Sequence, residues 1–184
     1  LKTELDYLDG GKATVYEHLK QAIKWFERKD NYGANGLPRI HHADWNDALN
    51  IPDDKAESVL MAMLICKAYD DMIELSSYIG DEAYAAVLVK AKKKLAKKTN
   101  EKAFNGDYYV RAFSKFGVVG DKTCDGGKIY VNPQSWSVLS GVCPKDRLEK
   151  VVAAMDSAET NEGIPMCVPA YKEYDETVGR MSGM

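Results

Sequence analysis

Apolar residues recur at helical spacing along most of this chain, separated by polar stretches rich in glycine, asparagine and proline. After Thr14, residues Val15, Leu19, Ala22, Ile23 and Phe26 share one face at a period near 3.6, which predicts a helix capped by Thr14 and ending before the stretch 31–36. From about Lys55, a second helix runs through Val59, Leu60, Met63, Leu64, Met72 and Ile73 to a stop at Gly80. Its apolar positions nearly encircle it, so it is expected to be buried, with Met61 and Met63 as core filling. Asp81 then caps a third helix, with Tyr84, Val87, Leu88, Ala91 and Leu95 inside and the lysines from Lys90 to Lys98 outside. Residues 100–130 are irregular, and short β-hairpins are a weak signal around 118–131. Pro133 stands where the first position of a fourth helix is expected, followed by Val138 and Leu139. Leu148, Val151, Val152 and Met155 mark a last helix, closed by Gly163-Ile164-Pro165. Serial helix hairpins of this kind predict an all-α fold, an α/α toroid whose loops at one end form the pocket.

Composition narrows the classes without choosing among them. With 184 residues, 45% hydrophobic and 29% charged, the chain has the make-up of one globular unit able to bury a core. A net charge of −3 gives no argument for nucleic acid or an anionic membrane surface, and no apolar run approaches the roughly 20 residues that span a bilayer. With no signal-peptide pattern either, a cytoplasmic protein is expected. Cys66, Cys124, Cys143 and Cys167 are widely spaced with no C-x-x-C pair, so free thiols are expected rather than a zinc site or a disulfide framework. The lysines from Lys90 to Lys98 alternate with apolar residues and lack interleaved aromatics, which fits a solvated helix face.

The chemistry concentrates between Gly36 and Asn50, where Asp44-Trp45-Asn46-Asp47 packs two acids, an indole and an amide into one turn-rich segment. The Trp45 ring suits the C–H face of a pyranose, Asn46 and one carboxylate suit its hydroxyl groups, and the second carboxylate can transfer a proton. The same residues also suit a capped loop, with Asp44 or Asn46 as a helix N-cap, Trp45 as a core plug and Asp47 in the first turn. Composition leaves both readings open. His41-His42-x-Asp44 invites a metal, but adjacent histidines in a turn rarely converge on one ion, and no metal is expected.

Three blocks resolve this by resemblance. Asp44-Trp45-Asn46-Asp47, then Phe104-Asn105-Gly106-Asp107-Tyr108-Tyr109-Val110-Arg111-Ala112-Phe113, then Asn132-Pro133-Gln134-Ser135-Trp136-Ser137-Val138-Leu139-Ser140-Gly141 follow in the order seen in the glycoside hydrolase family 94 phosphorylases, such as cellobiose and chitobiose phosphorylases. The chain resembles that family over essentially its whole length. The resemblance implies part of an (α/α)6 barrel, about half of one, as a single segment over residues 1–184 that is incomplete at both ends. It implies Asp47 as the general acid and Trp45 as a wall of the donor-sugar subsite. Asn46, Asp44, Arg111 and Gln134 are the further substrate-binding candidates. For Asp44 a role in holding its loop through backbone N–H groups competes, for Arg111 an inter-loop salt bridge, and for Gln134 and Trp136 helix initiation and packing.

Inorganic phosphate is the implied co-substrate, with no cofactor. Phosphate is already nucleophilic, so an inverting phosphorylase needs one carboxylic acid and a cationic or hydrogen-bonding phosphate cradle. To donate a proton near neutral pH, Asp47 is expected to sit beside apolar groups or beside the negative charges of Asp44 and phosphate. The expected reaction converts a β-linked di- or oligosaccharide and phosphate into an α-sugar 1-phosphate, and the resemblance allows a homodimer of the parent. The alternatives are the phosphorylase-like region of a cyclic β-1,2-glucan synthase, a plain hydrolase, and a non-catalytic carbohydrate-binding or structural remnant. Without an initiator Met, and with an end at Ser182-Gly183-Met184, the chain reads as a fragment. The family's upstream arginine and aspartate segment and its downstream E-N-G-G…H segment are missing from it, so most phosphate-binding residues are expected outside it.

Overall fold

Thr14 opens the first helix through a reciprocal exchange. Its hydroxyl oxygen accepts the Glu17 N–H at 3.3 Å while the Glu17 carboxylate accepts the Thr14 N–H at 2.8 Å, closing a capping box. The computed structural model describes residues 1–7 and 9–183 and divides into two units, 1–31 and 32–184. Met184, where the expected fragment ends, lies outside the described residues.

In the first unit, β1 (Glu4–Asp6) and β2 (Lys12–Thr14) pair antiparallel with Leu5 opposite Ala13, and α1 (Val15–Phe26) follows, burying Tyr16 and Ile23. The hairpin has no counterpart in the sequence reading, because three-residue strands are too short to carry a period of two.

The second unit is organised by a helical hairpin. The α2 helix (Val59–Ile79) buries Val59, Leu60, Ala62, Met63, Ile65, Cys66, Tyr69 and Met72 on several sides, and Gly80 ends it with φ of 87°. Asp81 immediately caps α3 (Glu82–Ala103) by accepting the Tyr84 N–H, so the two helices must turn back on each other, and they pack side by side. The α4 helix (Val131–Leu139) packs on α2, and α5 (Leu148–Asp156) packs on α4. Two small sheets complete the unit. In one, β3 (Glu57–Ser58), β4 (Ala112–Ser114) and β5 (Gly117–Val119) lie in that order, and in the other β6 (Ile129–Tyr130) pairs with β7 (Cys167–Val168), all antiparallel. Among the described residues no helix is long and apolar enough to cross a membrane.

The all-α expectation is therefore corrected. The described residues form a mixture of five α-helices and three small antiparallel sheets, not an all-α segment of an (α/α)6 barrel. Its strands pair residues far apart in sequence, such as Glu57 with Phe113 and Ile129 with Val168, and local periodicity cannot register such pairs. Three boundaries and one buried face also move. Residues 55–56 precede α2, because the helix is capped at Ser58. Val87 on α3 is exposed, while Ala85, Thr99 and Ala103 join Leu88 and Leu95 inside. Pro133 is the third residue of α4 rather than the first, still within the turn whose N–H groups have no helical acceptor. Finally, α5 ends at Asp156, well before Gly163.

An apolar cluster lies under the loop that carries the chemistry. It joins Ile40, Leu49, Ile51 and Ala56 to Ala112, Val119, Tyr130, Val178 and Met181. These residues come from both sheets and from the C-terminal stretch, so the loop rests on a floor built from four distant parts of the chain.

Candidate active site

The loop between Leu37 and Ile51 is held at both ends and lifted in the middle. Leu37 and Leu49 are fully buried and Ile40 and Ile51 nearly so, each fixing the chain with roughly 1.5–3 kcal/mol of side-chain burial. Between these anchors the backbone turns at His41, which takes a left-handed φ of 57°, and rises to the surface. No helix forms there. Asp44 and Asn46 instead close successive Asx turns, Asp44 Oδ1 accepting the Asn46 N–H at 3.0 Å and Asn46 Oδ1 accepting the Ala48 N–H at 2.9 Å. The helix-cap alternative for these residues is thereby excluded. His41 and His42 are both exposed, and no group of three or more His, Cys, Asp or Glu able to hold a metal ion occurs among the described residues.

Asp44 and Arg111 meet across 67 residues of sequence as a buried, two-pronged ion pair. Nη1 lies 2.7 Å from Oδ2 and Nη2 donates to Oδ1 at 2.7 Å, with side-chain exposures of 3% for Arg111 and 0% for Asp44. Ser58 completes the group. Its hydroxyl donates to Asp44 Oδ2 at 2.5 Å and accepts the Met61 N–H at 2.9 Å, so one side chain both caps α2 and holds the acid loop. Burial by itself pushes the Asp44 carboxyl up. The Arg111 hydrogen bonds and charge, then Ser58 and the Asn46 N–H, outweigh it and hold that carboxyl below the usual value. Arg111 can reach Asp44 because its backbone is clamped from two sides, its N–H donating to Val119 O and its carbonyl accepting from Val59 N. Gly120 is essential to that clamp: at φ of 80°, an added Cβ would sit 2.8 Å from Arg111 N.

Gln134 is fully buried and spends its amide on backbone, accepting the Tyr109 N–H at 2.9 Å and donating to Tyr109 O at 2.7 Å and Tyr130 O at 2.9 Å. It thus holds the chain just before Arg111 and has its strongest valences occupied. Gln134→Leu would leave three buried backbone groups unpaired. A loss of about 2–4 kcal/mol is expected in urea unfolding, with Gln134→Glu recovering only part because it restores the acceptor and not the donor.

Trp45 and Asp47 are different in kind. Trp45 is 61% exposed, and Asp47 is exposed with a carboxylate that makes no hydrogen bond or ion pair among the described residues. The apolar surroundings expected for Asp47 are not supplied by these residues, and the Asp44 charge expected to act on it is matched by Arg111. Asn46 points the other way, its Nδ2 lying 3.1 Å from Met166 Sδ and 3.2 Å from Met181 Sδ. Of the six residues singled out from sequence, Asp44 and Arg111 are brought into contact, Gln134 supports the strand beside them, Asn46 faces the C-terminal stretch, and Trp45 and Asp47 project outward. A cavity of about 870 Å3 lies elsewhere, lined by Phe116, Val119, Cys124, Tyr171, Tyr174 and Val178 among others and by none of the six.

Two residues at this site were missed in the sequence. Ser58 was hidden by placing the start of α2 too early, although a serine directly before Val59-Leu60 is a cap signal. Arg180 carries no local signal in the sequence, and its Nη2 donates to the Asp47 carbonyl oxygen at 3.3 Å.

A family model described as the catalytic domain of the glycosyl hydrolase 94 superfamily matches residues 1–184. The chain is 32% identical to a solabiose phosphorylase of Paenibacillus borealis, over 100% of this chain and 24% of that protein. It is 31% identical to a 3-O-beta-D-glucopyranosyl-beta-D-glucuronide phosphorylase of the same organism, over 92% of this chain and 22% of that one. The chain thus spans about a quarter of the length of these relatives. Among solved structures, a GH78 family rhamnosidase of Bacillus sp. GL1 superposes with a TM-score of 0.63 at 16% identity, over 78% of this chain and 14% of that chain, a likeness of fold alone.

Proposed function

The chain belongs to the glycosyl hydrolase 94 superfamily, and on that premise we propose that it carries the acid side of an inverting phosphorylase site acting on a β-linked di- or oligosaccharide. The observation that carries the reading is the division of labour between the two acids of one loop. Asp44 is buried and committed to Arg111 and Ser58, while Asp47 stands exposed beside Trp45 with its carboxylate unengaged among the described residues. A phosphorylase needs one free carboxylic acid, and one is what this loop offers.

In this reading the Trp45 ring lines the sugar subsite and Asp47 protonates the departing glycosidic oxygen. A phosphate oxygen bonds to the anomeric carbon from the opposite face as the carbon–oxygen bond to the leaving sugar breaks. The products are an α-sugar 1-phosphate and the shortened sugar, and Asp47, left as a carboxylate, regains its proton from solvent. Asp44, Arg111 and Gln134 act by holding the loop and the strand behind it.

The test is release of sugar 1-phosphate from a panel of β-linked disaccharides by the whole protein, with and without inorganic phosphate. Release that requires phosphate is the expected result. Cleavage without phosphate would assign a hydrolase, and turnover confined to β-1,2-glucans the glucan-synthase class. Sugar binding with no turnover on any substrate would leave a carbohydrate-binding role.

A further inference from the structure

Arg180 is placed beside the acid loop by an arrangement that leaves its guanidinium available. The stretch Gly179–Met181 is stitched to residues 47–50 through three hydrogen bonds: Arg180 N–H to Asn50 Oδ1 at 2.9 Å, Met181 N–H to Ala48 O at 2.8 Å, and Arg180 Nη2 to Asp47 O at 3.3 Å. Only glycine permits this approach, since Gly179 has φ of 82° and an added Cβ would lie 2.6 Å from Asn50 Oδ1 and 2.8 Å from Asn50 O. The backbone is therefore fixed, and the exposed side chain extends from a rigid base. Its one hydrogen bond runs to a neutral carbonyl, and no carboxylate stands within ion-pair distance of it among the described residues. A guanidinium has five N–H donors in a planar fork, so most of its donors are free for an oxyanion.

We propose that Arg180 is an anion-binding residue of the acid site, taking the phosphate of inorganic phosphate in phosphorolysis and of the sugar 1-phosphate in the reverse reaction. The proposal rests on the phosphorylase reading above. Distance supports it: with Nη2 at 3.3 Å from the Asp47 carbonyl oxygen, covalent geometry keeps the guanidinium within about 9 Å of the Asp47 carboxylate. In inverting hydrolases the acid and base carboxyl groups stand roughly 6.5–9.5 Å apart across the anomeric carbon, so a cation within about 9 Å of Asp47 is close enough to hold a nucleophile on the opposite face. Arg111 is already neutralised by Asp44, so it does not compete with Arg180 for an incoming dianion.

Arg180→Ala and Arg180→Lys in the whole protein test it, with kinetics run in both directions. In Arg180→Ala the KM for inorganic phosphate and for sugar 1-phosphate should each rise about 10- to 100-fold, while the KM for a neutral disaccharide stays within about two-fold. Arg180→Lys should recover part of the loss, since it keeps the charge and not the fork. A fall in kcat with every KM unchanged would overturn the proposal and make Arg180 a clamp on Asp47. So would a matched rise in all KM values. Thermal unfolding with inorganic phosphate gives a readout independent of turnover: phosphate should raise the midpoint of the wild type, raise that of Arg180→Lys less, and leave that of Arg180→Ala unchanged. If the wild type turns over no sugar, the phosphorylase reading falls first, and this shift still decides whether Arg180 binds phosphate. If Arg180→Ala fails to fold, Arg180→Lys and Arg180→Gln supply the same comparison.

Discussion

Asp47→Asn in the whole protein is expected to reduce phosphate-dependent cleavage of a β-linked disaccharide by about 10²- to 10⁴-fold, the range that a positioned general acid contributes. Stability should change by no more than about 0.5 kcal/mol, because the side chain is exposed and holds nothing among the described residues. The pairing of a large kinetic loss with an unchanged unfolding curve is the signature. Asparagine keeps the shape and loses the transferable proton, so substrate KM should move little. The loss should shrink on a substrate whose leaving group departs without protonation, such as a nitrophenyl β-glycoside, because that step no longer needs the acid. Equal losses on both kinds of substrate would remove Asp47 from the acid role. Asp44→Asn provides the contrast within the same loop: it should destabilise the protein, since it replaces a buried, paired charge rather than an exposed, unpaired one.

The second large effect is on stability. Arg111→Met is expected to cost about 3–5 kcal/mol in chemical unfolding, because it leaves the fully buried Asp44 carboxylate without its counter-charge. Activity should fall as well, as the Asx turn that presents Trp45 and Asp47 is closed by the same carboxylate. Arg111→Lys should lie between, restoring charge without the two-pronged geometry. Combining Arg111→Met with Asp44→Leu should cost less than the sum of the two changes, since no buried charge is then left alone.

The pair also sets an acid dependence. Asp44 is held below its ordinary value when folded, so its contribution to stability is fully present above the unfolded-state value of roughly 3.9 and is lost as pH falls through the lower folded-state value. Wild-type stability should therefore decline below about pH 4 more steeply than that of the Asp44→Leu/Arg111→Met protein, measured as urea midpoints against pH. Parallel curves would show that the pair does not supply the acid sensitivity.

Much of the helical scaffold was legible because its signals are local. Thr14 with Glu17, and Gly80 followed by Asp81, mark caps that act within one turn, and the apolar wheel of α2 forecast its burial. Ser58 shows the limit of that legibility. Its capping role is local, but its bond to Asp44 spans 14 residues and that of Arg111 to Asp44 spans 67, distances over which no periodic pattern operates. The β3–β4 and β6–β7 pairings escaped for the same reason, as strands of two or three residues hold their register through partners elsewhere in the chain.

What the sequence determined by itself was therefore the helices, the caps at Thr14, Gly80 and Asp81, and the one loop where chemistry is concentrated, including the quartet Asp44-Trp45-Asn46-Asp47 by which the family is recognised. What only the tertiary structure decided was how the members of that quartet divide their tasks. Two aspartates three residues apart are chemically identical on paper. One becomes a buried anchor because Arg111 and Ser58 are folded against it, and the other stays exposed beside Arg180, because a charged group's environment is built by whatever the chain brings next to it.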